Sequence, residues 1–582
     1  MKKLIIITAL TLCVSTAFAA TLNVNPSTGN DANTYAQVAA GTHEWATLGR
    51  AAWGSTTRSS PNTSQAAQAG DTVLVSAGTY NASSASGDKW VPSFQSANSG
   101  TAGNLITFRA SGSVTLQSTN GQGPVIGSSS RNYIVWDGFY IDEANVLTDP
   151  DTGPVTVLGA TGVQLLNLEI KGKNVTWGDN HNGIRVEQSN YVTVGNCKIY
   201  DISEGGTYGM NSAGIMAYDT GYSTFENNEI YNCGSGIWLK GYHGVNLQTN
   251  NIIRKNLIYN IGDFGIGLSI AAESRVYQNV VRDSGSGVDL WNVSSNTTHQ
   301  NNTIVNNTFA RTTSNFGAIS FRSPGDMFYG DRVYNNIFHT STVTAYGTWS
   351  FTAAPTPITF EHNVYYNTNS NVWKPDGVAG TGLAAWKVLG YDSVSPSAIS
   401  SDPLFTNLSG NVFTLQGGSP AAALGVDILD LDGDSSTSDN IPAGAYITGS
   451  EVIGIDSGGG DLTPPTVSSP LPNGAQAYSS NPQNATLQVT TNENATCRMM
   501  SSDDGGSAST PYSSMTDTFT TTGTTAHSEV KSLAAGASYS YWVQCIDPSG
   551  NDTETATQIS FSIDAPPVVR RTYGSGTLPS LH

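Results

Sequence analysis

Apolar and polar residues alternate in six short runs, each led by a small residue: Gly183-Ile-Arg-Val-Glu, Gly214-Ile-Met-Ala-Tyr, Gly236-Ile-Trp-Leu-Lys, Gly265-Ile-Gly-Leu-Ser, Gly287-Val-Asp-Leu-Trp and Ala318-Ile-Ser-Phe-Arg. A period of two predicts strands. The starts are 31, 22, 29, 22 and 31 residues apart, and self-similarity on such a period marks a solenoid whose units bury their apolar faces against each other. Stacked in register, the runs point Ile184, Ile215, Ile237, Ile266, Val288 and Ile319 inward, with Val186, Ala217, Leu239, Leu268, Leu290 and Phe321 beside them. Two columns then face outward. One reads Arg185, Met216, Trp238, Gly267, Asp289, Ser320; the other reads Glu187, Tyr218, Lys240, Ser269, Trp291, Arg322.

A second repeat runs in phase and marks a corner: Asn-Cys-Lys-Ile-Tyr-Asp from 196, Asn-Asn-Glu-Ile-Tyr-Asn from 227, Lys-Asn-Leu-Ile-Tyr-Asn from 255, Gln-Asn-Val-Val-Arg-Asp from 278 and Asn-Asn-Thr-Ile-Val-Asn from 301. Its second position aligns Cys197, Asn228, Asn256, Asn279 and Asn302, continuing as Asn336 and Asn363. An amide side chain tolerates the left-handed backbone of a tight turn and can bond the amide stacked above it, so the column predicts an asparagine ladder. Two or three strands per coil around inward Ile, Val and Leu specify an all-β chain, a parallel β-helix solenoid, right-handed by the preference of parallel crossovers.

Charged residues make up 12% of the chain, against about 25% in ordinary soluble domains, so polarity comes from amides and hydroxyls. Residues 1–19 read as an export signal: Lys2 and Lys3, an apolar stretch from Leu4 to Val14, then Ala17-Phe18-Ala19 before a cleavage point at Ala20. No later stretch reaches the roughly 18 apolar residues of a membrane span. The mature chain is therefore expected in the periplasm or the medium, as a monomer. A formal charge of −19 argues against nucleic acid as a partner.

Thr21-Leu-Asn-Val-Asn-Pro-Ser-Thr-Gly-Asn-Asp31, Trp45-Ala-Thr-Leu-Gly-Arg-Ala-Ala52 and Ala69-Gly-Asp-Thr-Val-Leu-Val-Ser-Ala-Gly-Thr-Tyr80 resemble the N-terminal cap and first coil of secreted right-handed β-helix proteins of the pectate lyase and chondroitinase B type. Within it, His43 to Trp53 reads as a short amphipathic helix over the open end of the core. Ser401-Asp-Pro-Leu-Phe405, Phe413-Thr-Leu, Gly418-Ser-Pro-Ala421 and Ala443-Gly-Ala-Tyr446 resemble the closing coils of that superfamily. The solenoid is thus placed at 20–450, followed by a linker at 451–465. Residues 466–564 resemble a fibronectin type III or related immunoglobulin-like sandwich, and 565–582 read as a disordered tail. The resemblance implies that Thr496-Cys-Arg and Tyr541-Trp-Val-Gln-Cys face each other across that sandwich, with Cys497 and Cys545 as an inter-sheet disulfide. Cys197 and Cys233 are read as buried thiols.

Of the twelve outward positions three are basic and three are Tyr or Trp, against about 0.5 and 1.1 expected from 25 basic and 53 aromatic residues in 582. Tyr218, Trp238 and Trp291, with Glu187 and Asp289, are candidate sugar contacts, since pyranose faces stack on aromatic rings and hydroxyls bond polar groups. An anionic polysaccharide fits better than a neutral one, because Arg185, Lys240 and Arg322 make the face locally basic on an acidic chain. Lyase chemistry on a uronic acid removes the proton next to a carboxylate whose charge has been neutralised. Lys240 is the candidate base, and Arg185 or Arg322 the neutralising group; chondroitinase-like and alginate-lyase-like β-helices use Lys and Arg in this manner. His181 and His243 are alternative proton carriers, each also readable as an exposed loop histidine. Glu187 with Asp289, or better with Asp219, could form the acid pair of a glycoside hydrolase. Asp430, Asp432 and Asp434 resemble the spacing of a calcium loop, without an EF-hand's glutamate, and serve equally as turn residues; no other cofactor is implied. The expected function is polysaccharide cleavage by β-elimination, with a non-catalytic carbohydrate-binding or adhesion protein and a glycoside hydrolase as the alternatives.

Overall fold

The structure, a computed structural model, describes residues 19–82, 88–118, 123–145, 152–175, 180–206, 209, 211–241, 248–291, 299–313, 317–322, 328–340, 348–350, 358–366, 373–375, 382–434, 436–455, 464–508, 510, 512, 515–547, 553 and 555–567. The segment read as an export signal, up to residue 18, and the tail from 568 lie outside them. Two compact units divide between Gly458 and Gly459.

The first unit is a right-handed parallel β-helix. Three parallel sheets run along it, and a coil such as the one from Asn182 to Glu204 contributes one strand to each. Sheet 1 stacks Ile126–Ser129, Val155–Leu158, Asn182–Glu187, Ala213–Tyr218, Ser235–Lys240, the last parts of Leu257–Ser269 and Val280–Trp291, then Ile319–Arg322, Thr348–Ser350 and Trp373–Pro375. The six runs are consecutive rungs in the register read from the sequence: Ile184 pairs Ile215, then Ile237, Ile266, Val288 and Ile319. All six inward residues are fully buried. The glycine that leads five of the six runs has a steric cause, and only in the sixth does an alanine, Ala318, fit the place. A Cβ on Gly214 would lie 2.5 Å from Ile230 Cγ2, and one on Gly236 2.7 Å from Ile258 Cγ2, because sheet 3, which stacks Glu169–Lys171, Lys198–Glu204, Glu229–Cys233, the first parts of Leu257–Ser269 and Val280–Trp291, then Thr308–Thr312, Ile337–Thr340 and Val364–Tyr366, packs against the start of these sheet 1 strands.

Sheet 2 includes Gln164–Leu166, Thr193–Gly195, Thr224–Glu226, Ile252–Arg254, Arg275–Tyr277 and Thr303–Val305. The corner between it and sheet 3 carries the amide ladder. Asn228 accepts from Cys197 N, Asn256 from Asn228 N, Asn279 from Asn256 N, Asn307 from Asn279 N, Asn336 from Asn307 N and Asn363 from Asn336 N, each at 2.9–3.0 Å. Asp392 closes the column, accepting from Asn363 Nδ2, Tyr365 Oη and Trp386 Nε1. Asn307, not Asn302, holds the fifth place. Asn302 belongs to a second ladder at the corner between sheets 1 and 2, where Ser223 N donates to Asn251, Asn251 N to Ser274, Ser274 N to Asn302 and Asn302 N to Asp331. Nor are the ladder amides the left-handed residues; that conformation falls on the residue before each, such as Asn227, Lys255 and Gln278.

The helix expected over His43 to Trp53 is shortened to Leu48–Trp53, started by Thr47, whose side chain accepts from Arg50 N, and a separate short helix, Tyr35–Ala39, precedes it. Leu48, Ala51, Ala52 and Trp53 join the main apolar core. Cys197 and Cys233 are buried thiols, and burial pushes both pKa values up to about 12.

The second unit contains antiparallel strands around its own core, which includes Leu487, Val489, Met499, Val543 and Ile559. The long strand Gln483–Ser501 pairs with Thr524–Leu533 along its first part and with Ser538–Ile546 along its last. Cys497 and Cys545 are bonded. They are direct cross-strand neighbours in one sheet, so the bridge staples a strand pair and does not join two sheets.

Candidate functional site

The outward columns of sheet 1 stand in the expected register, Arg185 beside Met216 and Trp238, and Glu187 beside Tyr218 and Lys240. Their side chains are packed. Tyr218 and Trp238 are 4% and 2% exposed, which corrects the expectation of bare aromatic faces. Trp238 donates Nε1 to Ser269 Oγ at 3.0 Å and meets Phe264 edge-on at 5.1 Å. Together with Ala213 and Met216 they form a small apolar cluster outside the main core.

The ring faces are used by the chain's own cations. Lys240 Nζ sits 4.3 Å from the Trp238 ring and 5.5 Å from Tyr218. The Arg185 guanidinium lies 4.4 Å from Tyr218 and 4.8 Å from Trp90. Arg185 is 8% exposed and pairs with Glu187, its Nη2 and Nε lying 2.8 and 2.9 Å from Oε2. Glu187 therefore holds Arg185 in place along one strand. Lys240 Nζ donates to Asn211 Oδ1 at 3.2 Å. Burial, with the Arg185 charge second, lowers its pKa to about 8 against an opposing pull from Glu204. A buried ammonium beside a guanidinium loses hydration and gains repulsion, and both favour the neutral amine.

His181 is not an exposed loop residue. It is fully buried just before Asn182–Glu187, with Nε2 2.7 Å from Glu143 Oε2 and Nδ1 3.3 Å from the Ser203 carbonyl. Its neighbour Asn182 donates to the Asn211 carbonyl, so the histidine and the lysine share a support. Trp90, Glu143 and Asn211, on connections of irregular length, and Glu204, at the end of the strand Lys198–Glu204, escape sequence reasoning because they lie outside the Gly-Ile frame. The only signal for them is weak, a run of uncommon Trp and acidic residues between coils.

The other candidates separate. Asp289 is buried four coils above Arg185 in the same column, so it does not form an acid pair with Glu187. Arg322 and Trp291 occupy the predicted rungs by backbone register, and their side chains lie outside the described residues, as does His243. Asp430, Asp432 and Asp434 bring carboxylate oxygens within 4.8 Å of one another. Two of them already serve the turn: Asp432 Oδ1 accepts from Asp434 N and Asp434 Oδ1 from Ser436 N. Oxygen donors of this kind suit a hard cation such as calcium.

No helix among the described residues is long and apolar enough to cross a membrane. Comparison with curated proteins gives no match. Among solved structures the chain is similar to XylC in complex with xylose, at 12% identity over 66% of this chain and 86% of that one, TM-score 0.35. It is similar to PfbA, a surface adhesin of Streptococcus pneumoniae, at 14% identity over 50% and 77%, TM-score 0.38. A PL6 family polysaccharide lyase from Pseudopedobacter saltans matches at 14% identity over 57% and 87%, TM-score 0.34. The family model of the right handed beta helix region matches residues 113–309, the stretch that carries the Gly-Ile rungs from Gly183 to Gly287 and the parallel coils around them.

Proposed function

We propose that this is a secreted polysaccharide-active protein whose sheet 1 face cleaves a uronic-acid-containing polysaccharide by β-elimination. The observation that carries the reading is Lys240, a mostly buried amine with a pKa lowered to about 8 beside Arg185. An amine poised near the working pH is a competent general base. It takes the C5 proton; the electron pair moves into a C4–C5 double bond, the C4–O bond breaks, and the departing oxygen acquires a proton. Arg185 balances the carboxylate charge that builds next to C5, exchanging part of its contact with Glu187 for the uronate. Trp90 and Tyr218 hold the guanidinium plane from their ring faces. Hydrolysis by paired acids is the weaker reading, since Glu187 and Asp289 are four coils apart and Glu187, the acid common to either pair with Asp289 or Asp219, is engaged by Arg185.

The test is incubation with pectate, alginate and glycosaminoglycan polymers while following the ultraviolet absorbance of the unsaturated product. Product should accumulate with one class and vanish for Lys240→Ala, whose melting curve stays close to the parent's. Binding without turnover on any polymer would instead support the carbohydrate-binding adhesion protein.

A further inference from the structure

At the corner between sheets 1 and 2 each coil needs a left-handed residue. Down the column these are Tyr133, Gly162, Tyr191, Tyr222, Asn250, Glu273, Asn301 and Gly330, with φ between 53° and 72°. Glycine and asparagine accept that backbone readily; a bulky side chain adopts it only with strain. Three of the eight are nevertheless tyrosine. Two of them gain little core contact in return, since Tyr191 is 57% and Tyr222 50% exposed. They are the two aromatics among the large exposed apolar residues described. Their rings stack on each other, centroids 5.1 Å apart and 15° from parallel, so each is already ordered before any ligand arrives. Strain kept at the surface without burial points to function.

We propose that the Tyr191–Tyr222 corner is a second carbohydrate site, one that takes a neutral polysaccharide and is separate from the basic face of sheet 1. Among the described residues the nearest groups in these columns are uncharged: Thr193 pairs with Gln164 below and Thr224 above in the adjoining column of sheet 2, and Asn250 is exposed on the next coil, with Glu273 and Arg275 one coil further on. Arg131, beside Tyr133, is turned to the Ala97 and Ser130 carbonyls. A polyanion approaching a chain of charge −19 would find no basic group among the described residues next to the Tyr191–Tyr222 pair. A neutral pyranose can lay its C–H face on the side of Tyr222 turned away from Tyr191, with hydroxyls on Thr224 and Asn250. The pair also adjoins sheet 1, since Glu187 and Tyr218 lie four residues ahead of the two tyrosines.

The experiment is affinity electrophoresis of the whole protein in gels carrying β-glucan, xylan or galactomannan, with pectate as the acidic control, on the parent and on Tyr191→Asn/Tyr222→Asn. At least one neutral polymer should retard the parent, and the double variant should bind it roughly tenfold more weakly, the loss expected of one stacked ring. Retardation by pectate should not change. The melting temperature should stay level or rise, because asparagine already fills this turn at Asn250 and Asn301. The proposal is overturned if no neutral polymer retards the parent, if the double variant binds as the parent does, or if its melting temperature falls by several degrees, which would make the tyrosines a structural staple.

Discussion

Asp331→Asn should stabilise the β-helix, and by an amount that grows with pH. Asp331 terminates the second ladder, fully buried, with Oδ1 accepting from Asn302 N at 2.7 Å and Asn302 Nδ2 at 3.0 Å. Asn251 and Asn302 use the other branch of their amides as a donor, to the carbonyls of Thr220 and Ala271. A carboxyl at this place has no N–H to donate, and only its protonated form can imitate the amide. Burial dominates and raises its pKa from 3.8 to about 7, against the two bonds from Asn302. The folded state thus binds the proton more tightly than the unfolded chain. Its stabilising contribution is complete below pH 3.8 and is lost as pH rises through about 7. At about 1.4 kcal/mol per tenfold change in proton affinity, that span is on the order of 4 kcal/mol. Thermal melts of parent and variant from pH 4.5 to 8.5 should therefore diverge, the variant being higher by several degrees at the alkaline end. Parallel curves, or a variant less stable at every pH, would refute the reasoning.

Other variants address separate parts of the account. Asn279→Ala removes the acceptor of Asn256 N and Nδ2 and the donor to the Ile253 and Tyr277 carbonyls; with buried groups left unpaired it should cost about 1–3 kcal/mol, read as a lower denaturation midpoint. Cys545→Ser opens a 48-residue separation and should lower the stability of the second unit by about 4 kcal/mol in the chain-entropy estimate, with the β-helix transition unchanged in calorimetry. Trp90→Ala should leave the melt of the β-helix nearly unchanged and weaken uronate binding by several-fold, since it frees one face of Arg185.

The rungs were legible because their constraint is local and repeated. Each Gly-Ile start sits where a Cβ would strike sheet 3, and each inward Ile or Val faces the same neighbours, so the frame recurs in the sequence and fixes register. The ladder was legible at every place but the fifth, where the reading slips by five residues, to Asn302 in place of Asn307, before rejoining the column at Asn336 and Asn363. Asn301-Asn302-Thr-Ile-Val and Asn306-Asn307-Thr-Phe-Ala are alike in composition, and both lie at corners; pairing of Phe309 with Val281 and Phe338 decides between them, and that information is not local. Burial of Tyr218 and Trp238 was not legible at all. A column of outward residues shows which side of a sheet they occupy, whereas their cover comes from Phe264 within a longer strand and from connections with no period. His181 was misread for the same reason, because its partner Glu143 arrives from a coil 38 residues earlier.

The most direct test of the central claim is the pH dependence of kcat/KM on a uronate polymer, measured for the parent and for Arg185→Ala. If Lys240 is the base, the parent's profile should rise with pH to a midpoint near 8, the lowered pKa of the free enzyme's amine. Removing the Arg185 charge should move that midpoint upward while lowering the plateau. A midpoint that does not move, a profile that falls as pH rises through 8, or turnover that survives Lys240→Ala would contradict it.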